Sequence, residues 1–539
     1  MMRGGGPSRW LVLAVLLGVL LRMAHVVPHD FPLNDGGLFA AMAEDIRAAG
    51  FHLPAVSSYN GERIPFGYSP LGFYLVAILV ELTGLTSVEL LRWVPLAATV
   101  LTVPAFALLA RRMIGDGAAL VAAVAAFSLL PRSFTWLLMG GGLTRSLGFL
   151  FTILGLHQGM LLFTSGGRPR HAAGVAVCAA LVAMSHLGTL PFFAFSYALL
   201  LLSYGRNRPV LIASAAAAIG AVLLASPWWV TVFAQHGLEP FRAAQATGGS
   251  AFSDPETRAR VLNALARFGL GTTGEPFFPV ILVLAIAGGV RQLPSGSLLL
   301  PFWWIGTLLL DQRAGATYAA LPVSLLAGIG AAHVLSPLLR YPRLRQAGAV
   351  AVIAYCAVAA MVTDPERGGE GRLLTPLPAD QRAALRWVAR ATQRDAAFLV
   401  VPDRAWQADR LAEWFPVLAE RQSVATVQGS EWLPGHEFQE RVEEYDSLRQ
   451  CTRAAPNCLE RWEERTGRRF THLIVPRNQP FPCCSGLLSG LSGHPEWQLL
   501  YQGSGAWIYE RTGLRSAGTR ARGAPLRSSA APRGGPAPG

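Results

Sequence analysis

The stretch "HDFPLNDGGLFAAMAED", residues 29–45, decides how the rest of this chain is interpreted. It contains a Gly-Gly pair and four acids, which are Asp30, Asp35, Glu44 and Asp45. Apolar runs precede and follow it, so these carboxylates stand beside segments that favour lipid. Charged side chains are costly in hydrocarbon and tend to mark functional positions. The question is what these acids do at the edge of a membrane.

The composition indicates a polytopic membrane protein. Of the 539 residues, 52% are hydrophobic and 15% are charged, whereas a soluble domain carries about 25% charged residues. Every basic side chain is an arginine, and the arginines stand mostly at the ends of apolar runs and in the C-terminal tail. They are interpreted as topology signals, and nucleic acid is not expected as a partner.

Eleven apolar runs predict membrane-spanning helices. The first is interpreted as an uncleaved span, because no clear cleavage site follows it. A further run, 70–85, falls short of the ~20 residues that a span needs and is predicted to lie in the membrane interface. The eleven runs are 10–27, 91–110, 118–138, 146–164, 172–187, 189–204, 210–232, 277–290, 297–310, 316–337 and 346–363.

The arginines also predict the orientation. If the N-terminus is cytoplasmic and 70–85 does not cross, every short basic loop falls on the cytoplasmic side, as the positive-inside rule requires. We therefore expect a multi-pass protein of the cell membrane with an extracytoplasmic C-terminal domain. The external segments would be 28–90, 139–145, 233–276, 311–318 and 364–513.

Three parts are expected along the chain: a membrane domain (1–363), an extracytoplasmic α/β domain (364–513) and a disordered tail rich in Arg, Pro, Gly and Ala (514–539). In the α/β part, "DQRAALRWVARATQ" is predicted to be a helix with Asp380 as its N-cap. The predicted strands are "AFLVV", "SVATV", "THLIV", "WQLLY" and "AWIYE".

The cysteines fall into two groups. Cys178 and Cys356 lie in apolar runs and are interpreted as packing residues. The other four lie in the polar C-terminal part, where their spacing does not suit zinc, and disulfides would form there in an oxidising compartment. These four are Cys451, Cys458, Cys483 and Cys484.

The first loop contains a predicted amphipathic helix along the membrane, because Leu38, Met42 and Ile46 recur at four-residue spacing. Its start offers two uses for Asp35. If Asp35 caps this helix, it is a poor base, because the bound N–H groups stabilise its charged form. If Asn34 is the cap, Asp35 is free to point into a cavity.

The loop and the spans after it resemble the GT-C class of integral-membrane glycosyltransferases. The class includes protein O-mannosyltransferases, aminoarabinose transferases of the lipid A pathway and oligosaccharyltransferase catalytic subunits. The resemblance rests on the acidic first loop, on "YSPLGFYLVAILVELTGL" (68–85) and on "LLRWVPLAATVLTVPAFALLARRMIGDGAALVAAVAAFSLLP" (90–131). Ser69 replaces the first proline of the Pro-Pro-Leu pattern of the class. The pattern of loops and spans covers residues 10–340.

The resemblance implies a sugar donor linked to a polyprenyl phosphate, a reaction on the extracytoplasmic face, and a catalytic acid in the first external loop. By position that acid is Asp35, with Asp30, Glu44 and Asp45 as alternatives. The second external loop, where the class commonly has another acid, reads "MGGGLTRSLGF" (139–149) and has none. A divalent cation, Mg²⁺ or Mn²⁺, is therefore left open as a cofactor, and its ligands are unknown.

This glycine loop is instead a candidate phosphate site. Its three glycines are expected to present backbone N–H groups beside Thr144 and Arg145 at the start of a helix, where anions bind. The alternative is a flexible turn with an arginine that reaches the interface.

Two further segments contribute candidates. In "DQRAGATYAALPVSLLAGIG" (311–330), Arg313 would neutralise the leaving phosphate and Tyr318 would line the site, although an ordinary loop arginine is equally consistent. His186 in "SHLGTLP" is either a substrate contact or a hydrogen-bonded packing residue. In the C-terminal part, Trp414 and Phe415 are interpreted as core residues rather than as a substrate shelf with Glu431 and Trp432.

The expected function is transfer of a sugar from a polyprenyl-phosphate donor to a hydroxyl of a lipid, glycan or protein acceptor. Asp35 would be the general base, and the sugar carbon would be inverted. Two alternatives stay open: a non-enzymatic transporter or flippase of lipid-linked saccharides, and a degenerate GT-C scaffold. No P-loop, HExxH motif or nucleophile elbow is present, which argues against ATP-driven transport and proteolysis.

Overall fold

Helices form most of the membrane part of the protein. The computed structural model describes residues 9–247, 272–311, 314–338, 342–363, 373–453, 456–477 and 483–512. In the membrane part the helices are α1 (Arg9–Val26), α2 (Gly37–Ala48), α3 (Leu71–Thr83), α4 (Ser87–Ile114), α5 (Ala118–Leu129), α6 (Gly142–Thr164), α7 (Pro169–Ser185), α8 (Leu190–Tyr204), α9 (Arg208–His236), α10 (Glu239–Thr247), α11 (Val280–Gln292), α12 (Leu299–Leu310), α13 (Ala320–Leu338) and α14 (Pro342–Val362). A polytopic helical membrane fold is thus confirmed.

Each predicted span contains a helix, but the helices differ in length. Among the described residues, six are long and apolar enough to cross a membrane, or seven if α5 and the turns after it count as one broken span. Helices α7, α11 and α12 are apolar but shorter. The number of eleven spans therefore stays a prediction.

The run 118–138, predicted to be one span, is not a single straight helix, because the chain breaks at Pro131. Helix α5 ends at Leu129, and the following 3₁₀ turns, Pro131–Leu137, leave its axis at 77°. Proline disfavours a helical conformation in the residue before it, and Leu130 is accordingly extended, with ψ of 113°. The break carries the chain sideways towards the start of α6.

A buried arginine in α1 fixes this break. The Arg22 guanidinium donates hydrogen bonds to the Ser128 carbonyl at 3.2 Å and to Ser133 Oγ at 3.0 Å, one on each side of Pro131. It also lies 5.0 Å from the centre of the Phe134 ring. Arg22 therefore ties α1 to both sides of the bend.

Helix α3 confirms the predicted helix in 70–85. Its thirteen residues extend for about 20 Å, which is less than the ~30 Å thickness of a hydrocarbon core. It packs against α2, α4 and α6. Ser69, which stands where the class has a proline, donates a hydrogen bond to the Ala183 carbonyl at 2.7 Å and so joins the start of α3 to the end of α7.

The C-terminal part is the expected α/β domain. Two short strands in the first loop, β1 (Val56–Ser57) and β2 (Ile64–Pro65), form a separate antiparallel pair. The elements of the C-terminal domain are α15 (Ala379–Ala391), β3 (Ala397–Val400), α16 (Arg410–Leu418), β4 (Gln422–Ser423), α17 (Glu437–Gln450), α18 (Asn457–Thr466), β5 (His472–Pro476), α19 (Ser485–Leu491), β6 (Trp497–Gln502) and β7 (Ala506–Arg511). The sheet of this domain has the order β4-β3-β5-β7-β6; β3 is parallel to β4 and β5, while β7 is antiparallel to β5 and β6. One face, with Phe398 and Ile474, continues into the core that includes the membrane part. The domain boundaries themselves stay a prediction, and the tail 514–539 lies outside the described residues.

Two local predictions in this domain are wrong. "SVATV" contributes only Ser423 to β4, because the chain leaves the sheet after two paired residues. Asp380 lies in the first turn of α15, and the N-cap position is held by Pro378.

The four C-terminal cysteines are paired as Cys451–Cys458 and Cys483–Cys484. Cys178 and Cys356 are free and packed within the helices.

Candidate active site at the first loop

The predicted helix of the first loop is present, but neither candidate residue caps it. Helix α2 buries Leu38, Met42 and Ile46, as the four-residue spacing predicts. Its N-cap position is Gly36, and no side chain from its own start caps it. Asn34 instead donates through Nδ2 to the Gln407 carbonyl at 3.2 Å. The proposed capping roles of Asn34 and Asp35 are both wrong for this helix.

The Asp35 carboxylate lies at the start of a different helix, α6. Asp35 Oδ1 accepts a hydrogen bond from the Gly141 backbone N–H at 2.8 Å, and Oδ2 is 3.5 Å from Arg145 Nη2. The Asp35 side chain is 28% exposed and that of Arg145 15% exposed. The acid predicted as catalytic and the arginine predicted to bind phosphate are therefore neighbours, although 110 residues separate them along the chain.

The glycine loop is shaped by this contact and not by an anion. All three glycine N–H groups have protein acceptors: the Leu33 carbonyl for Gly140, Asp35 for Gly141, and the Met139 carbonyl for Gly142. The expectation that these N–H groups are available to phosphate is therefore wrong. A Cβ on Gly141 would lie 2.4 Å from Asp35 Oδ2, so a side chain at this position would displace the carboxylate.

Arg145 remains a candidate anion ligand. Its guanidinium lies 4.4 Å from the centre of the Trp136 ring, in the turn that follows the break at Pro131. Its Nε is buried and has no hydrogen-bond partner among the described residues. A buried donor without an acceptor is unfavourable, and an incoming anion would supply the acceptor. Thr144, the other candidate, is buried in the first turn of α6.

The C-terminal domain supplies the missing cap of α2. Glu413, in α16, accepts a hydrogen bond from the Gly36 N–H at 3.1 Å through Oε1. The next residue, Trp414, donates from Nε1 to the Asn34 carbonyl at 3.0 Å. The pKa of Glu413 is raised to about 8, mainly by burial and to a smaller extent by the nearby charge of Asp35. The backbone on both sides of Asp35 is therefore held by two consecutive residues of the other domain.

The three alternative acids have other partners. Asp30 pairs with Arg382 at 2.7 Å, and this hydrogen bond lowers the pKa of Asp30. Glu44 pairs with Arg47, which also contacts Glu81. Asp45 accepts hydrogen bonds from the Ser57 hydroxyl at 2.8 Å and the Ser58 N–H at 2.9 Å.

His186 and Tyr318 pack against α6, the helix that contains Arg145. Thr189 Oγ1 lies 2.8 Å from both His186 Nδ1 and the Tyr318 hydroxyl. Both sides of this group touch α6 just after Arg145: Gly148 lies against His186, and the Phe149 ring centre is 6.0 Å from that of Tyr318. Both side chains are thus engaged in packing contacts. Arg313 lies outside the described residues.

The aromatic segment of the C-terminal domain is part of the core. Trp414 and Phe415 are fully buried, as expected. Trp432 is 5% exposed, and Glu431 accepts a hydrogen bond from the Tyr68 hydroxyl at 2.8 Å. These residues join the first loop to the C-terminal domain.

The described residues do not form a ready metal site. Among them, no group of three or more His, Cys, Asp or Glu side chains is arranged to hold an ion. Mg²⁺ and Mn²⁺ prefer several oxygen ligands. Asp35 already faces Gly141 and Arg145, and Glu413 faces the start of α2. This donor set does not fit a divalent cation.

No sequence pattern points to Glu413, because its partner Gly36 is 377 residues away along the chain. Arg22 could have been found, since an ionisable residue inside a predicted span is a reason to expect a specific role. The contact of Trp136 with Arg145 could not have been predicted, because Trp136 is one apolar residue among many in the run 118–138.

Replacing Glu413 with glutamine should make the protein less sensitive to alkaline pH. The folded-state pKa of about 8 exceeds the ordinary value of 4.5, so the stability linked to this proton is complete below pH 4.5 and is lost as the pH rises through 8. Glutamine cannot ionise. We expect the midpoint of thermal unfolding of Glu413→Gln, relative to wild type, to be higher at pH 9 than at pH 5 by at least ~2 °C.

A constant difference between Glu413→Gln and wild type from pH 5 to pH 9 would show that Glu413 does not titrate as described.

Comparison with known proteins gives two findings. A family model described as "6-pyruvoyl-tetrahydropterin synthase related domain; membrane protein" matches residues 67–361, more than half of the chain. No curated protein matches the sequence at a significant level.

Solved structures match over most of the chain. The archaeal oligosaccharyltransferase AglB from Archaeoglobus fulgidus, in complex with an inhibitory peptide and a dolichol-phosphate, has a TM-score of 0.55 at 13% identity, covering 87% of this chain and 69% of AglB. The arabinofuranosyltransferase AftD from Mycobacteria has a TM-score of 0.55 at 16% identity, covering 95% of this chain and 42% of AftD. ArnT from Cupriavidus metallidurans has a TM-score of 0.50 at 14% identity, covering 93% and 97%.

These similar structures are GT-C glycosyltransferases, and at such identities the likeness establishes the fold alone. The protein therefore has a GT-C fold, and by the extent of the family match the chain belongs to the membrane-protein family described as the 6-pyruvoyl-tetrahydropterin synthase related domain.

Proposed function

We propose that this protein is a membrane glycosyltransferase that moves a sugar from a polyprenyl-phosphate donor to an acceptor hydroxyl. One observation carries the proposal: a partly exposed carboxylate, Asp35, is fixed by the N–H of Gly141 beside the guanidinium of Arg145. A base and a phosphate ligand at neighbouring positions are what this transfer needs. The GT-C fold supports this chemistry, and the AglB structure contains a dolichol-phosphate.

In the proposed reaction, Asp35 accepts the proton of the acceptor hydroxyl while the hydroxyl oxygen forms a bond to C1 of the sugar. The bond from C1 to the phosphate oxygen breaks, and polyprenyl phosphate leaves with the electron pair. The new bond forms opposite the old one, so C1 is inverted.

Arg145 is assigned to the leaving phosphate. Its long contact of 3.5 Å with Asp35 and the absence of an acceptor for its buried Nε among the described residues support this role. A guanidinium can bind two phosphate oxygens at once and so neutralise the charge that develops on them. No step is assigned to a metal ion. Tyr318 and His186 are proposed to shape the wall behind Arg145, and Arg313 is proposed as a further phosphate contact.

The proposed topology places this site on the extracytoplasmic face of the cell membrane, where the donor enters sideways from the outer leaflet. The arginine-rich cytoplasmic loops support this orientation. The Cys451–Cys458 and Cys483–Cys484 disulfides also support it, because disulfides persist in oxidising compartments.

Asp35→Asn tests the proposed base. The amide oxygen of asparagine can still accept the Gly141 N–H, so the fold should be retained while proton acceptance is lost. We expect the transfer rate to fall by roughly 10²- to 10⁴-fold. The assay uses membranes containing the full-length chain and a panel of radiolabelled undecaprenyl-phosphate hexoses and pentoses, and follows the label as it leaves the lipid-linked donor.

Asp30→Asn is the control, since Asp30 pairs with Arg382 and should not be needed for transfer. Full activity of Asp35→Asn would remove Asp35 from the mechanism. A wild-type protein that transfers no sugar from any of these donors would favour the transporter or scaffold alternative.

Gly141→Ala tests the position of the carboxylate. Gly141 has φ of −67°, so alanine fits the backbone, but its Cβ would lie 2.4 Å from Asp35 Oδ2 and push the carboxylate away. We expect a loss of transfer rate of roughly 10- to 100-fold, because misplacement by about 1 Å has effects of that size.

The matched control is Gly289→Ala in α11, where the nearest atom to the new Cβ is 4.0 Å away and wild-type activity is expected. If Gly141→Ala folds and transfers sugar at the wild-type rate, the contact between Asp35 and the start of α6 has no part in catalysis.

A further inference from the structure

Glu413 lies between the two domains at the start of α2. Its side chain is 6% exposed, and its backbone carbonyl accepts a hydrogen bond from the Tyr59 hydroxyl at 2.7 Å. The carboxyl group accepts the N–H of Gly36 at 3.1 Å and also faces the N–H of Leu38. These are N–H groups that a helix cannot satisfy internally, and the start of α2 has no side-chain cap of its own.

This arrangement determines the path of the chain through Asp35. Residue 34 is held through its carbonyl by Trp414, and residue 36 through its N–H by Glu413. The two domains also approach closely here, since a Cβ on Gly37 would lie 2.4 Å from the Glu413 carbonyl oxygen. With the backbone held on both sides, the Asp35 side chain is directed at the Gly141 N–H.

Trp414 and Glu413, which both contact the first loop, have different roles. Trp414 is a large, fully buried side chain that packs on Phe31 at 4.7 Å between ring centres, so it contributes to the core. Glu413 instead places a carboxyl group in a buried position, where it accepts the N–H of Gly36.

We propose that Glu413 is a positioning residue that fixes Asp35 by capping α2, so that the C-terminal domain sets the geometry of the catalytic base in the membrane domain. This inference rests on the proposed function, because it assigns Glu413 to the same site. Glu413 does not touch the substrate. Its elevated pKa is consistent with this role, since a protonated carboxyl at neutral pH caps the helix without repelling Asp35.

The test compares Glu413→Ala, Glu413→Asp and Glu413→Gln in the full-length protein in lipid nanodiscs. Alanine removes the cap, and aspartate withdraws the carboxyl by one methylene group. Both should lower kcat by roughly 10- to 100-fold, while KM for the donor stays within about two-fold of wild type. Glutamine keeps the acceptor oxygen and should retain at least about a third of the wild-type kcat.

Glu443→Ala in α17 is the matched control and should behave as wild type. The inference is overturned if Glu413→Ala or Glu413→Asp keeps the wild-type kcat. It is also overturned if glutamine is as damaging as alanine, because a cap does not require a titratable group.

Hydrogen exchange separates this inference from the proposed function. In Glu413→Asp and, if it folds, Glu413→Ala, the amides of Gly36 and Leu38 should exchange at least about ten-fold faster than in wild type, while those in the middle of α6 should not change. This result supports the cap even if no tested donor is used by the wild-type protein. Unchanged exchange at Gly36 and Leu38 refutes the cap whatever the activity.

Discussion

The hydrogen bond from the Gly141 N–H to Asp35 Oδ1 is the contact on which the candidate site depends. It joins the first loop to the start of α6, and a side chain at position 141 would displace the carboxylate. The same contact puts the carboxylate within 3.5 Å of Arg145. Without it, the long contact with Arg145 would be the carboxylate's remaining hydrogen bond among the described residues.

The contact is supported from two sides. From the membrane domain, Arg22 fixes the break at Pro131, and the turn after that break carries the Trp136 ring on which Arg145 lies. From the C-terminal domain, Glu413 and Trp414 hold the backbone around Asp35. The site is therefore built by residues that come from distant parts of the chain. The C-terminal domain therefore contributes directly to the candidate site, through Glu413 and Trp414.

Sequence reasoning identified the features that depend on local pattern. The spacing of Leu38, Met42 and Ile46 predicted α2, and the apolar runs predicted the helices of the membrane part. It failed where the outcome depends on distant contacts. The cap of α2 comes from Glu413, and the N–H groups of Gly140 and Gly141 donate to Leu33 and Asp35 of the first loop. No spacing rule contains this information, because both contacts join segments more than 100 residues apart.

The most direct test of the central claim is an electron cryo-microscopy structure of the full-length Asp35→Asn variant in nanodiscs with a bound undecaprenyl-phosphate monosaccharide. Our account predicts that a phosphate oxygen lies about 3 Å from the Arg145 guanidinium and that C1 of the sugar faces residue 35. A donor whose phosphate binds away from Arg145, with residue 35 turned towards protein only, would contradict it.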